Sequence, residues 1–254
     1  MIITFLGTGT SAGIPVVGCD CGVCQSTDQR NTRTRASVLV SFDARNILID
    51  TSTDFRAQAL RERISRVDAI LYTHSHADHI LGLDDIRPYN FWQQGAVPIY
   101  GRVETLSHIR RAFPYIFEST SAVSLVPHVE EVQISGPFEV FGVPVTPIPV
   151  MHGPNEIVGY RIDGFAYITD FKTIPDTSLS LLQGLEVLVL DALRRKPHPT
   201  HSNLENSLAV VEVLKPKKAY FTHMCHDLDH QTTEAHLPQQ VRLAYDGLRV
   251  SLDS

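Results

Sequence analysis

Apolar residues are grouped in short runs bounded by turn residues, a pattern that predicts β-strands. The strand-like runs, in chain order, are "IITFLG", "ASVLVSF", "NILIDT", "AILYT", "PIYG", "FEVFGVPVTPIPV", "GYRIDG", "AYITD", "EVLVLDA" and "KAYFTH". Apolar residues at helical spacing predict helices in "TDFRAQALRERI", "VETLSHIRRAF", "NLENSLAVVEVLK" and "LPQQVRLAYDGLRV". Asn203 is suited to cap the third of these helices, and Pro216 follows its end.

The strands come in runs, and the helices are interspersed among them without strict alternation. This order predicts an α/β (α+β) fold, a four-layer αββα sandwich in which two mixed β-sheets are covered by helices. No internal repeat, low-complexity tract or linker divides the sequence, so we expect a single domain over residues 1–254.

Composition and charge narrow the class of protein. The chain has 254 residues, of which 43% are apolar and 20% charged, as in an ordinary globular protein. It has no run of about 18 apolar residues. Its start, "MIITFLGTGT", has the pattern of a strand and turn rather than a signal peptide, so we expect a cytoplasmic protein. The net charge of -6 argues against nucleic acid as a partner, because a polyanion requires a basic face.

Residue types that bind metals follow several of the strand-like runs directly. The runs end in or lead into Asp50, His74, His152, Asp170, Asp191 and His223. Side chains at strand ends are held by rigid elements and still reach a cleft. The pattern therefore favours a binding or catalytic site built from strand ends.

The densest group of such residues lies in "THSHADHILGLDD", residues 73–85. His74 and His76 are two positions apart, which in an extended segment places both imidazoles on one side. Asp78 and His79 come about one turn later, where a helix is expected to begin. The loop can therefore bind two adjacent metal ions, and imidazole with carboxylate suits zinc, iron or manganese.

The loop alone offers too few ligands for two metal ions. His152, Asp170 and His223 each follow an apolar strand, which makes them the natural candidates for the remaining ligands.

A second cluster contains three of the four cysteines, Cys19, Cys21 and Cys24. In a reducing compartment this spacing predicts a metal site rather than a disulfide framework. Zinc in a closed structural site takes four ligands. The spacing leaves two candidates for the fourth, Cys225 and His226, which both come shortly after His223.

The order of "HSHADH", His152, Asp170 and His223 resembles the metallo-β-lactamase superfamily of binuclear hydrolases over nearly the whole chain. The resemblance implies one metal bound by His74, His76 and His152, and a second bound by Asp78, His79 and His223, with Asp170 as the bridge between them. It also implies that Asp50 orients a ligand histidine. The two metals would be zinc, manganese or iron.

The cysteines within "LGTGTSAGIPVVGCDCGVC" further resemble the PhnP-type branch, phosphodiesterases that act on a phosphoribosyl cyclic phosphate. The resemblance implies a structural zinc with His226 as the fourth ligand, since His226 stands three residues after His223. It also implies a catalytic histidine near Asp191, for which His201 is preferred over His198. His201 and Asp78 are the predicted catalytic residues.

These resemblances predict hydrolysis of a small, cyclic or open phosphodiester. Hydroxide activated by two metals would attack phosphorus, and His201 would protonate the leaving oxygen. Members of the family often form dimers, so the resemblance implies a homodimer. His230 and His236 are expected at the surface, and no role is predicted for Cys225.

Four alternatives remain at this stage. A thioesterase of the same fold would leave the three cysteines unexplained, and a tRNA-processing nuclease would need an arm or a basic face. A PqqB-type cofactor-biosynthesis protein would share the structural zinc. A metal-binding module without catalysis would leave His201 without a role.

Overall fold

The computed structural model of the protein describes residues 1–118 and 126–252. In these ranges the strands are β1 (Ile2–Gly7), β2 (Ser37–Phe42), β3 (Arg45–Ile49), β4 (Ala69–Leu71), β5 (Val97–Gly101), β6 (Val129–Gln133), β7 (Phe138–Val140), β8 (Val143–His152), β9 (Asn155–Ile162), β10 (Phe165–Ile168), β11 (Val187–Asp191), β12 (Lys218–Thr222), β13 (Val241–Leu243) and β14 (Arg249–Ser251).

The helices of the same ranges are mostly short. They are α1 (Phe55–Glu62), α2 (Ala77–Ile80), α3 (Arg87–Gln93), α4 (Val103–Ala112), α5 (Pro114–Glu118), α6 (Asp176–Leu181), α7 (Leu204–Leu214) and α8 (His230–Glu234). Turns of 3₁₀ helix lie at Gln29–Asn31 and Leu81–Ile86. No helix in the described part of the chain combines the length and apolar character needed to cross a membrane.

The strands form two mixed sheets of seven strands each, as predicted. The order in the first sheet is β14-β1-β2-β3-β4-β5-β6, and in the second it is β13-β12-β11-β10-β9-β8-β7. In the first sheet β1 is antiparallel to β2 and to β14, β2 is antiparallel to β3, and the pairs from β3 to β6 are parallel. In the second sheet the pairs from β7 to β10 are antiparallel and those from β10 to β13 are parallel.

Each sheet buries both faces, and strand residues alternate between two cores. In β2, Val38 and Val40 pack in the core between the sheets, whereas Leu39 packs on the opposite face beneath α1 and α4. In β11, Val189 faces the other sheet, and Leu188 packs in the core that also contains residues of α7. Successive side chains of a strand point to opposite faces. The layers are therefore helix, sheet, sheet and helix, the predicted αββα sandwich.

The predicted helices α4 and α7 are present, and Asn203 caps α7 by accepting a hydrogen bond from the Asn206 backbone N–H at 3.3 Å. The helix predicted in "LPQQVRLAYDGLRV" is wrong, because this segment forms β13 and β14. Val241 and Leu243 are buried while Arg242 between them is exposed, which is the alternation of a strand. Gly247, at a φ of 89°, turns the chain before β14 pairs with β1.

The fold brings the ends of several strands to one edge of the sandwich. Strands β10, β11 and β12 are mutually parallel, and β8 runs in the same direction because it is two antiparallel steps from β10. Their carboxyl ends therefore lie together, which collects the polar residues that follow them.

Candidate metal centres

Three of the strand-end residues have a backbone conformation that is uncommon outside glycine. The φ angles of Asp50, Asp170 and His223 are 62°, 55° and 55°. A left-handed backbone at a non-glycine residue costs about 1–2 kcal/mol, and such strain is concentrated at functional sites. At Asp170 and His223 the sharp turn after the strand directs the side chain into the ligand cluster, and at Asp50 it places the carboxylate behind that cluster.

The structure brings together all seven active-site ligands named from the resemblance. One group has ligand atoms that all lie within 4.8 Å of one another. Its members are His74, His76, His152 and Asp170. A second group meets the same distance: Asp78, His79 and His223. Asp170 connects the groups, since its Oδ2 lies 3.9 Å from His74 Nε2 and 3.3 Å from His223 Nε2.

Several buried nitrogen atoms in this cluster have no hydrogen-bond partner among the described residues. They include Nε2 of His74, His79 and His223, all in side chains at most 5% exposed. A buried polar atom without a partner is costly. These lone-pair positions converge on the carboxylates of Asp78 and Asp170, which is the donor set that zinc, iron or manganese accepts. The residues therefore fit divalent metals.

The electrostatics of the cluster support the same conclusion. Burial alone would lower the pKa of His79, but the carboxylates of Asp170, Asp78 and Asp50 raise it well above its ordinary value. The pKa of His223 is likewise raised to about 9, because Asp170 and Asp78 outweigh its burial. The buried carboxylates therefore favour positive charge in the site, which either a proton or a metal ion can supply.

Asp50 lies behind the cluster and is fully buried. Its Oδ2 is 2.8 Å from His79 Nδ1, and its two oxygens accept hydrogen bonds from the Thr73 backbone N–H and side-chain hydroxyl, both at 2.8 Å. The same hydroxyl oxygen, Thr73 Oγ1, lies 3.0 Å from His74 Nδ1. These contacts leave Nε2 of both histidines directed into the site, which is the orienting arrangement typical of metal-binding histidines.

His201 lies at the edge of the same cluster. Its ring is 4.6 Å from that of His152 and stacks on that of His223 at 5.0 Å. Its Nδ1 is 2.8 Å from Oδ2 of the buried Asp191. Burial lowers the pKa of His201 to about 4, with His223 adding to this effect and Asp170 opposing it. Asp191 holds the ring through Nδ1, and the ligand atoms of His201, Asp170 and His223 lie within 4.8 Å of one another.

The cysteine cluster forms a second centre. His226 Nδ1 lies 3.3 Å from Cys19 Sγ, 3.6 Å from Cys21 Sγ and 3.5 Å from Cys24 Sγ. For tetrahedral zinc, the usual Zn–S and Zn–N bond lengths require an S···N separation of about 3.6 Å. A hydrogen bond from the Cys24 backbone N–H lowers the pKa of the Cys21 thiol to about 7, which favours the thiolate needed for binding. These four residues fit a closed zinc site.

Arg33 braces the loop that carries His226, and its side chain is fully buried. The guanidinium donates to the carbonyl oxygens of Leu228 at 2.7 Å and Cys225 at 3.3 Å, on both sides of His226. Arg33 lies in the basic sequence "RNTRTR", residues 30–35, which is typical of an exposed face, so its burial could not be predicted. A buried arginine bound to carbonyls holds the loop that carries His226.

The other residues considered from the sequence have different surroundings. His198 lies on the rim, with its ring 5.1 Å from that of His201. Cys225 is partly buried, and its Sγ accepts a hydrogen bond from the Asp227 backbone N–H at 3.4 Å. His230 is only 1% exposed, so the expectation that it lies at the surface is wrong. It packs at the start of α8 with Nε2 3.2 Å from Glu234, whereas His236 is exposed as expected.

A hollow of about 680 Å³ opens beside the metal-binding cluster, and we call it the side hollow. Its lining includes His76, Arg102, His108, His152, Asn155 and Glu156. Apart from the two ligand histidines, none of these residues was identified from the sequence. They come from α4 and the β8–β9 turn, and no local motif indicates that these segments meet.

Residues 45–224 match the family profile of the beta-lactamase superfamily domain. This chain belongs to that superfamily. The membership predicted from "HSHADH" and the residues after it is therefore confirmed, and so is the sandwich fold.

Two solved structures resemble this chain over nearly its whole length. The chain is 49% identical to the crystal structure of a diphosphatase from the PhnP family, which it matches with a TM-score of 0.93 over 99% of this chain and 98% of that one. This similarity confirms the predicted likeness to the PhnP branch and supports a metal-dependent hydrolase. The zinc-bound PqqB from Methylobacterium extorquens has a TM-score of 0.81 at 20% identity, covering 99% of this chain and 100% of that one, which shows the shared fold.

Curated relatives are longer than this chain. An octanoyltransferase of Porphyromonas gingivalis is 38% identical over 98% of this chain, which spans 51% of that protein. A coenzyme PQQ synthesis protein B of Xanthomonas axonopodis is 37% identical over 34% of this chain and 34% of its own length. The chain therefore spans about half of the first relative, and the match to the second covers only a third of either protein.

Proposed function

We propose that this superfamily member is a binuclear-metal hydrolase that breaks a phosphorus–oxygen bond in a small molecule. The observation that carries the proposal is the convergence of seven buried or cleft-facing ligand side chains, with His201 beside them. The structural relative named a PhnP-family diphosphatase adds support, because it is similar to this chain over nearly its whole length.

In this proposal His74, His76 and His152 would hold one metal, and Asp78, His79 and His223 would hold the other. Asp170 would be a ligand shared by both, and Asp50 orients His79. Zinc, manganese or iron at these positions would supply Lewis acids and a hydroxide nucleophile at neutral pH. The three cysteines and His226 bind a structural zinc that fixes the loop between His223 and α8.

The catalytic role proposed for His201 follows from its position. Asp191 accepts a hydrogen bond from Nδ1, which leaves Nε2 to protonate the leaving oxygen as the phosphorus–oxygen bond breaks. The burial of His201 lowers its pKa, and the negative charge of a bound phosphate acts in the opposite direction. The role that we propose for Asp78 in catalysis is that of a metal ligand.

Two substrate classes fit the same site. The sequence favours a small phosphodiester, cyclic or open, and the relative's description favours a diphosphate. Both place one reacting phosphorus near the metals and one leaving oxygen near His201. Nucleic acid is disfavoured by the net charge of -6. We also propose that the protein is cytoplasmic and forms a homodimer.

The test is turnover by the metal-loaded protein on four probes. We expect hydrolysis of bis(4-nitrophenyl) phosphate or of diadenosine diphosphate, and neither hydrolysis of a glutathione thioester nor oxygen consumption with iron. Turnover of the thioester alone would identify a thioesterase, and oxygen consumption would favour a PqqB-type activity. No release of phosphate monoester from either phosphate substrate would contradict the proposal.

A further inference from the structure

On one side of the cleft carboxylates neutralise the positively charged side chain, and on the other side they do not. On the side of the side hollow, Arg102 forms an ion pair with Glu156 and has its Nε 3.6 Å from Glu104. These two carboxylates outweigh the single guanidinium. The side hollow is therefore a poor site for a second anion, and its mixture of carboxylates, Asn155 and His108 suits uncharged hydroxyl and amide groups.

The opposite side, next to His201, carries positive charge without such compensation. Lys172 Nζ donates to the His198 carbonyl oxygen at 2.6 Å, and Arg194 donates to the carbonyls of Lys196 at 3.1 Å and Pro197 at 2.8 Å. Carbonyl oxygens hold these groups in place but carry no net charge. Within residues 1–118 and 126–252, no carboxylate lies at ion-pair distance from either cation.

This positive surface is close to the metal-binding cluster. The His198 ring lies 5.1 Å from that of His201, which in turn is 4.6 Å from the ring of His152. Burial lowers the pKa of His198, and the neighbouring side chains His201, Arg194 and Lys172 lower it further, so these groups lie within electrostatic range of one another.

We infer that Lys172, Arg194 and His198 form a ledge that binds a second, non-reacting phosphate of the substrate. This inference rests on the proposed function and narrows it to substrates that carry two neighbouring phosphates. The reacting phosphate lies at the metals, the second lies on the ledge, and the uncharged remainder of the molecule enters the side hollow. The Lys172 amine has three donors and uses one on His198, which leaves donors for phosphate oxygens.

A purely structural role for Lys172 gives a different outcome. If its amine only braces the loop that carries His201, its removal disturbs every ligand of the site to the same degree. If the ledge binds phosphate, the loss falls on ligands with a second phosphate. The distinction does not require turnover, so it can be made with ligands that the protein does not hydrolyse.

The experiment is calorimetric titration of metal-loaded protein with AMP and with α,β-methylene-ADP, whose P–C–P bond resists hydrolysis. The variants are Lys172→Met and Lys172→Arg, with Lys217→Met as the control. Lys217 pairs with Glu186, and its side chain is 70% exposed. It directly precedes β12, at the end of the strand opposite to His223. Metal content is measured before and after each titration, because diphosphates chelate metals.

We expect the original protein and Lys217→Met to bind α,β-methylene-ADP at least roughly tenfold more tightly than AMP, the gain of one charge-assisted contact. Lys172→Met should remove most of this difference and change the Kd of AMP less than about twofold, while Lys172→Arg should preserve it. Equal weakening of both ligands, or no weakening of either, would overturn the inference. Failure of the proposed function would show separately, as absent turnover with binding intact.

Discussion

The two candidate metal centres are built in different ways. The histidine and aspartate cluster is assembled from strand ends, most of its residues are buried, and Asp50 and Asp191 hold the rings of His79 and His201 from behind. The cysteine cluster lies in a loop, has two half-exposed cysteines, and closes on one histidine.

This difference indicates which centre performs chemistry. Zinc with four protein ligands has no position left for substrate, whereas a catalytic metal keeps one open. The first cluster faces a cleft, with the Asp170 carboxylate close to histidines of both ligand groups, and the second ties the loop at residues 19–24 to His226. We therefore expect mutations in the first to affect turnover and mutations in the second to affect stability.

The largest effect is expected from Asp170→Ala, because Asp170 connects both ligand groups. We expect a decrease in kcat/KM of more than about 10,000-fold, beyond the upper range for loss of a general acid alone. Both active-site metals should be lost in metal analysis. The matched control is Asp176→Ala, an exposed aspartate at the start of α6, which should behave like the original protein.

His201→Ala should have the next largest effect, a decrease in kcat of about 100- to 10,000-fold with the metals retained. Steady-state kinetics and metal analysis on the same preparation measure both quantities. His236→Ala, in which the altered histidine is exposed on the surface, is the control. Loss of a metal in His201→Ala would instead identify His201 as a ligand, and an unchanged rate would remove its proposed role.

Asp50→Asn should weaken metal binding by about 10- to 100-fold, the usual effect of removing the group that orients a ligand histidine. Competition with a chelator measures this affinity. Asp68→Asn is a close control, because Asp68 is also buried but pairs with Arg45 and Arg66, away from the cluster. If Asp68→Asn weakened metal binding equally, the role of Asp50 would be general stability.

Cys24→Ser should have the smallest effect on turnover, a few-fold at a temperature where the protein is folded. It should lose the structural zinc and unfold at lower temperature, with about 2–4 °C lost for each kcal/mol of stability. Cys225→Ser should keep the zinc, because Cys225 is outside the four-residue cluster. A kcat as low as that of Asp170→Ala would contradict the separation of roles between the centres.

The parts of this site that could be predicted are those with a local pattern. His74, His76, Asp78 and His79 lie in one loop, and the remaining ligands each follow an apolar strand. Strand ends converge only in the folded sheet, but the hydrophobic run before each ligand already indicates a strand. The three cysteines are close in sequence, and their distant partner His226 came from the family resemblance.

The parts that could not be predicted depend on tertiary packing. Asp191 was visible as a strand-end aspartate, but its contact with His201 depends on how the 192–201 loop returns to β11. Arg33 and His230 are polar residues in polar segments, and only the packed structure shows that they are buried. The segment of β13 and β14 has helical spacing, and pairing with the sheet edges outweighs that local preference.

The central claim is that two separate centres bind metal in this chain, one of them binuclear. The most direct test is the metal content of the purified protein and of two variants, measured by elemental analysis alongside turnover. We predict three metal ions per chain in the original protein, two in Cys24→Ser and one in Asp170→Ala. Full activity in protein stripped of metal, or three ions retained in Asp170→Ala, would contradict the account.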